Sequence, residues 1–417
     1  MGTLWKIALR NTARHGRRTI ITAVVMMVGI GVFVSFDSVI TGMDRMAIDT
    51  MADYTTSSLK IRTPAYVDDI EAAPLDKGLP SPTAALAAAA SDGMRSTPRL
   101  RFVARISNYT DEIPVLADAV DPSTDGTVFK VASSVESGSW LPSAPSHEVV
   151  LGAELASELK VGVGDALLIS AQTVNDVTNA DEYTVAGLVT TPAPEVNRAG
   201  LFMGLQDARQ LLDAGTGPDG LATEIDVALP RAPSLDSALA QGDAAAARLR
   251  AALPGLRVDA LRDLGASYLA LRNAKASYSM VPVLIVLAIS AVGIINTILM
   301  SVFSRVREIG VLRAYGMTPR EIKRLFTLEG LCLGLAGSVL GVGLGALLDF
   351  LAISRGIDMR GLAGGWSLPV SGILRGEWNP RTMVIGFVFG IVVSLLAARI
   401  PARRAARLEP TDALRFQ

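Results

Sequence analysis

Four long apolar runs break up an otherwise mixed chain: Thr19–Met43, Ser279–Phe303, Leu325–Ile353 and about Thr382–Ile400. A hydrocarbon core about 30 Å thick needs about 20 apolar residues in helical form, so each run predicts a membrane-spanning helix. The fourth is nearest the short limit because Arg399 interrupts it. A signal peptide carries an apolar core of only ~7–15 residues and a small-residue cleavage site. The first run fits neither requirement and reads as a retained anchor. The expected fold is a membrane α-helical protein with four transmembrane helices in a 1+3 layout and an α+β extracytoplasmic domain.

Between the first two runs the pattern shortens and alternates. Leu59–Arg62, residues 100–106 and 113–120, Glu148–Leu151, Ala166–Ser170, Tyr183–Val189, Gly200–Met203, Glu224–Leu229 and Arg257–Leu261 read as strands. Thr83–Ala90, Ala153–Leu159, Leu205–Leu212 and Ala238–Leu253 read as helices, and Ala72–Pro82 as a flexible passage. About 235 residues suffice for a real core, read as two subdomains. Residues 262–278 read as a helix leading straight into the second span, a rigid connection able to carry motion.

Charge separates the same two environments. The net charge is −1, but residues 44–278 carry −12 and the remainder +11. With 50% hydrophobic residues and a mean hydropathy of +0.39, this split argues against a nucleic-acid binder. Lys6, Arg10, Arg14, Arg17 and Arg18 precede the first span. Arg305, Arg307, Arg313, Arg320, Lys323 and Arg324 lie between the second and third, and Arg403, Arg404, Arg407 and Arg415 follow the fourth. Basic flanks mark the cytoplasmic side, which places both termini inside and the acidic segment outside.

The chemistry of an enzyme is missing. The single cysteine, Cys332, lies in an apolar run and reads as a small packing residue. His15 sits in a basic pre-membrane segment and His147 precedes a strand without metal-ligand spacing. The carboxylates of the acidic segment are scattered, so no acid–base pair is assigned. No phosphate-binding loop of the form GxxxxGK[ST] occurs, so energy from ATP has to come from another polypeptide.

Within the third run, Gly337, Gly341 and Gly345 recur at i, i+4, i+8. Glycine lets helices approach closely in lipid, and the stripe fits either intrachain packing or a dimer seam. The ionisable residues in the spans, Asp37, Glu329 and Asp349, lie away from the centre, which favours interfacial or helix-contact roles over a proton path. The segment Ser304–Leu325 begins as a basic continuation of the second span. Gly316 breaks it, and Thr318-Pro319 with Glu321 restarts a helix through a capping box. A short exposed helix tied to two spans is a lever for a cytoplasmic partner; the plainer alternative is a solvated connection.

Arg305–Ile322, R-x-R-E-I-G-V-L-R-A-Y-G-M-T-P-R-E-I, resembles the signature of the MacB/FtsX-like ABC transporter permease superfamily. The tail Pro401–Arg415 and the opening Ala8–Asn11 with Arg17–Thr19 resemble that family's two ends. Leu59–Pro80, with Ala65-Tyr66 and Pro74-Leu75-Asp76, is most similar to the lipoprotein-releasing, LolC/LolE-like permeases. The resemblance implies a type VII ABC permease without its own ATPase. Its layout would be a cytoplasmic segment at 1–18, spans at 19–43, 279–303, 325–353 and 382–400, and an outer domain at 44–278. The outer domain would comprise porter-like and Sabre-like parts, the latter at about 145–215. A coupling helix at 304–324, an outer loop at 354–381 and a cytoplasmic tail at 401–417 complete the layout. The coupling role would fall on Glu308, Ile309, Gly310, Leu312, Arg313, Ala314, Gly316 and Met317. The resemblance further implies two separate ATPase subunits holding ATP and Mg, with no cofactor on this chain. It also implies a second permease copy or paralogue, a lipoprotein or lipid-linked substrate, a periplasmic acceptor and residence in the bacterial inner membrane. The implied mechanism is mechanotransmission. The alternatives are an FtsX-like regulator of a periplasmic partner such as a cell-wall hydrolase, and a MacB-like efflux permease.

Overall fold

The computed structural model describes residues 16–358 and 373–407, together with 5, 7, 8 and 10. Lys6, Arg14, His15, the side chains of Arg17 and Arg18, loop residues 359–372 and the tail from residue 408 lie outside the description. The chain divides into two compact units. One comprises Met1–Asp44, Leu271–Asp358 and Ile373–Gln417; the other comprises Arg45–Ala270 and Met359–Gly372.

The chain enters the second unit along α1 (Gly16–Met51), which closes in a π-helical turn, Ala52–Thr56. The unit is built on one ten-stranded sheet. Its strands are β1 (Leu59–Arg62), β2 (Arg95–Ser107), β3 (Glu112–Val120), β4 (Val135–Gly138) and β5 (Glu148–Gly152). The others are β6 (Ala166–Gln172), β7 (Thr178–Val189), β8 (Leu201–Gly204), β9 (Glu224–Ala228) and β10 (Arg257–Ala260). Their order is β10-β1-β9-β2-β3-β8-β5-β7-β4, and β6 pairs with both β2 and β7. Among the described residues eight α-helices accompany the sheet: α2 (Pro64–Asp68), α3 (Thr83–Ser91), α4 (Asp125–Val128), α5 (Ala153–Leu159), α6 (Pro194–Ala199), α7 (Leu205–Leu211), α8 (Leu235–Ala252) and α9 (Leu261–Leu264).

Strand alternation builds the core as the sequence suggests. Leu59 and Ile61 of β1, Ile225 and Val227 of β9, and Val258 and Ala260 of β10 point to one face. There they meet Ala85 and Ala89 of α3 and Ala245, Ala246 and Leu249 of α8. Helix α8 starts three residues earlier than its apolar pattern indicates, because Ser234 and Ser237 form a reciprocal cap. Strand β7 extends five residues beyond the apolar stretch. Thr178–Glu182 is exposed, and the ladder to β6 holds it rather than burial. Strand β4, which the pattern misses, is a four-residue edge strand paired to β7. Residues 145–215 supply β5 to β8, and their side chains share a core with Leu100, Phe102 and Ala104 of β2 and Ala117 of β3.

The first unit is helical. Besides the first part of α1 it contains α10 (Ala266–Ser304) from Leu271 onward, α11 (Val306–Ala314), α12 (Pro319–Arg355) and α13 (Pro380–Ala406). Two short strands, β11 (Ile357–Asp358) and β12 (Ile373–Leu374), pair antiparallel. Among the described residues three helices are long and apolar enough to cross a membrane: Thr19–Thr56, Pro319–Arg355 and Pro380–Ala406. A fourth candidate is the bent pair Ala288–Ser304 and Val306–Ala314. The expected lead-in is interrupted at Gly265, where α9 ends; from Ala266 the helix runs unbroken to Ser304. Arg399 and Pro401 do not end α13, which continues to Ala406 with Pro401 buried. A charge does not terminate a helix, and one proline costs one ladder hydrogen bond and a local bend.

Candidate functional site

The helical unit carries a pinned elbow. Helix α10 stops at Ser304, and Arg305 leaves the helical region (φ −124°, ψ 20°) before α11 begins. The chain bends there by 64°. Val306 and Ile309 of α11 are buried, and Ile309 shares an apolar core with Ile294, Ile298 and Val302 of α10, Phe326 of α12, and Ala398 and Ala402 of α13. At its far end Tyr315 N–H donates to the Val311 carbonyl, and Gly316 turns the chain with φ +93°. That conformation belongs to glycine. The Thr318 hydroxyl accepts from Glu321 N–H while the Glu321 carboxylate accepts from Thr318 N–H at 2.8 Å, so α12 opens on the capping box that the sequence encodes.

Three of the polar contacts that fix the elbow involve two arginines. Arg305 Nη1 donates to Glu329 Oε1 of α12 at 2.9 Å, and its Nε donates to Glu308 Oε2 at 2.8 Å. Arg313 Nη1 donates to the Ala406 carbonyl of α13 at 3.1 Å.

The eight residues proposed for coupling divide by position. Glu308, Ala314 and Gly316 are exposed; Leu312, Arg313 and Met317 are half-buried; Ile309 and Gly310 face inward and seat the elbow. Three exposed neighbours join the outer surface without having been singled out: Arg307, Val311 and Tyr315, the last 88% exposed. The signal was available: Val311 and Tyr315 stand at i, i+4, apolar and aromatic on one helix face.

The glycine stripe lies inside the chain. A Cβ at Gly337, Gly341 or Gly345 would come within 2.7 Å of the Cβ of Met26, Ile30 or Val34 of α1, respectively. The two helices approach face to face at three successive turns. Gly330 and Gly334 instead face Ala398 and Ser394 of α13. The three span carboxylates have separate surroundings. Asp37 accepts from Asn379 Nδ2 at 2.9 Å and Thr382 Oγ1 at 2.7 Å, joining α1 to the start of α13. Glu329 holds Arg305, and Asp349 is buried.

The outer unit buries charge on the sheet face opposite its apolar core. Lys60 Nζ lies 2.5 Å from Glu224 Oε1 and 3.1 Å from Asp226 Oδ1. Arg62 Nη2 reaches Asp259 Oδ2 at 2.5 Å, and Arg99 Nε reaches Asp125 Oδ1 at 2.9 Å beneath the Phe129 ring. Burial opposes ionisation of Glu224, but Lys60 and Arg101 overcome it and hold its carboxyl at about 2. Burial dominates at Asp226 despite Lys60, and with the charge of Glu224 pushes it up to about 6. The same unit has a groove of about 620 Å³ lined by Leu86, Pro122, Pro145, Leu205, Asp207 and Arg209 among others. Its walls come from separate parts of the chain, so periodicity gives no sign of it.

Long helices with lipid-type surfaces, joined to a large water-soluble unit inserted after the first, define a membrane protein with an extracytoplasmic domain. Residues 19–245 match the MacB-like periplasmic core domain, and residues 280–410 match the FtsX-like permease C-terminal domain. The chain belongs to the MacB/FtsX/LolC-like family of ABC transporter permeases. It is 26% identical over 317 residues to the lipoprotein-releasing system transmembrane protein LolC of Xylella fastidiosa, covering 73% of each chain. It is 31% identical over 128 residues to the macrolide export ATP-binding/permease protein MacB of Escherichia coli K12, covering 31% of this chain and 17% of that one. The periplasmic region of MacB from Actinobacillus actinomycetemcomitans aligns over 53% of this chain and 96% of its own, at 11% identity and a TM-score of 0.36.

Proposed function

We propose that this chain is the membrane subunit of a mechanotransmitting ABC transporter that releases lipoproteins, or another lipid-linked cargo, from the outer leaflet of the bacterial inner membrane. The elbow at Arg305 is the observation that carries the reading: a short helix bent by 64° from the helix before it and pinned to α12 and α13. In this reading Ser279–Phe303 is the second of four spans, and the basic elbow and both termini are cytoplasmic. Two separate ATP-binding subunits, which hold ATP and Mg, dock on the outward face of α11. A second permease copy or paralogue completes the assembly. ATP binding draws the elbows together, and α1 and α10 carry the movement outward. The cargo assignment is supported by similarity to LolC over 73% of the chain.

Reconstitution with its ATPase in proteoliposomes loaded with a synthetic triacylated protein tests this directly. ATP-dependent release into the aqueous phase is the expected result. Activation of a cell-wall hydrolase without release would favour the regulator alternative, and export of a soluble drug the efflux alternative. Glu308→Arg reverses an exposed charge on the elbow, and Gly316→Pro demands a negative φ where the turn has +93°. Each is expected to abolish cargo release per ATP hydrolysed while membrane insertion persists. Coupled activity surviving both changes would remove the elbow from the mechanism.

A further inference from the structure

We infer that Arg305 is the pivot through which the elbow passes load to α12, a positioning role distinct from docking. The inference rests on the mechanotransmission reading. Arg305 occupies the break itself, and its guanidinium is committed in two directions from one point. Nη1 donates to Glu329 Oε1 at 2.9 Å, where both side chains are buried. Nε donates to Glu308 Oε2 at 2.8 Å, where the carboxylate is 56% exposed. The Phe326 ring lies beside the guanidinium, its centroid 5.9 Å from the central carbon.

The two halves of this bridge differ physically. Parting a buried pair strands a charge and is costly; parting an exposed pair costs little. Glu329 is therefore the fixed anchor and Glu308 the exchangeable arm. A cationic side chain of a docking subunit can draw Glu308 away and leave the Arg305–Glu329 axle intact. Arginine suits this task because its planar fork donates from separate nitrogens in fixed directions, whereas lysine offers one compact charge. At the other end of α11 Arg313 donates to the Ala406 carbonyl of α13, a neutral backbone acceptor. Rotation of the elbow is thus guided at Arg305, where the buried Glu329 fixes one end of the bridge.

The test uses the full chain reconstituted with its ATPase, reading ATP turnover and release of a synthetic triacylated protein together. Arg305→Met/Glu329→Met removes both charges and keeps apolar volume. It is expected to assemble and hydrolyse ATP but to release about tenfold less cargo per ATP, within the ~5–150-fold typical of coupling between sites. If the pair only stabilised the fold, this compensated variant would behave like the parent; a parental ratio overturns the pivot. If the double variant does not insert, Arg305→Lys carries the same readout, with a ratio between the two expected and a parental ratio overturning the proposal.

A second measurement needs no transport. Cys332 is the sole cysteine, so Cys332→Ala gives a background for spin labels at Tyr315 and Arg324, both exposed. Loss of the Arg305–Glu329 pair is expected to broaden their distance distribution, and an unchanged distribution overturns the pivot. Broadening together with full coupling in both Glu308→Arg and Gly316→Pro would sink the lever reading and leave Arg305 only as the residue that orients α11.

Discussion

In the outer unit Leu59, Ile61, Ile225 and Val227 are inside, and so are Lys60, Glu224 and Asp226. In the helical unit Ile20, Phe36, Val339, Phe350, Val384 and Val388 point outward, while close internal contacts are made at Gly337, Gly341, Ser338 and Ser394. Each arrangement would fail in the other's surroundings. Water drives apolar side chains inward and tolerates a buried ion pair when partners are complete. Lipid tails are as apolar as leucine, so large side chains gain nothing by hiding; helices associate through close backbone approach and hydrogen bonds. One chain therefore uses two opposite definitions of an interior, and the contrast can be tested unit by unit.

The largest effect is expected from the buried charges. Lys60→Met removes the one cation in direct contact with both Glu224 and Asp226 among the described residues, and should destabilise the outer unit by about 3–5 kcal/mol. Chemical denaturation of the full chain in detergent, followed by protease sensitivity of the outer unit, measures it; a parental midpoint would mean that the charges are hydrated.

In the helical unit the corresponding break is Gly341→Leu, which inserts a side chain where even a Cβ would lie 2.7 Å from that of Ile30. Overpacking of this kind costs about 1–3 kcal/mol. A lowered melting temperature of the detergent-solubilised chain is expected, and no change would place the α1–α12 seam elsewhere.

Acidity sharpens the comparison, because only the outer unit has a buried carboxyl raised to about 6 outside the spans among the described residues. Folding raises the Asp226 pKa above its unfolded value of 3.8, so its contribution is fully present below about 4 and is lost as pH rises through 6. Glu224 has the opposite sign: its contribution is present above 4.5 and is lost as pH falls toward 2. Asp226→Asn should flatten the stability profile between pH 4 and 6 by about 1–3 kcal/mol. A slope identical to the parent's would assign the titration to another group. At the small end, Arg105→Ala removes an ion pair to Glu112 that lies in the open, and should move the melting midpoint by no more than the equivalent of about 0.5 kcal/mol.

The apolar runs were legible because a helix in lipid needs length and composition, both properties of consecutive residues. The capping box at Thr318 and the turn at Gly316 were legible for the same reason: cause and effect lie within four residues. The charged sheet face was not. In LKIR and EIDV, alternation correctly separates two faces but labels the polar one as solvated. Only the assembled sheet brings Lys60 between Glu224 and Asp226, more than 160 residues away in sequence, and sets its buried ammonium against one oxygen of each carboxylate. β4 and the polar arm of β7 escaped because backbone pairing, rather than side-chain burial, defines them.

The sequence by itself determined that this chain enters a membrane, that a large acidic portion stands apart from the apolar runs, and that a basic segment restarts a helix after Gly316. These follow from local composition and short-range hydrogen bonding. The tertiary structure alone decided that the glycine stripe closes on α1, that Ile309 seats the elbow while Tyr315 presents it, and that Arg305 meets Glu329. Those outcomes depend on which distant surfaces come into contact, and contact between distant surfaces is set by packing the whole chain.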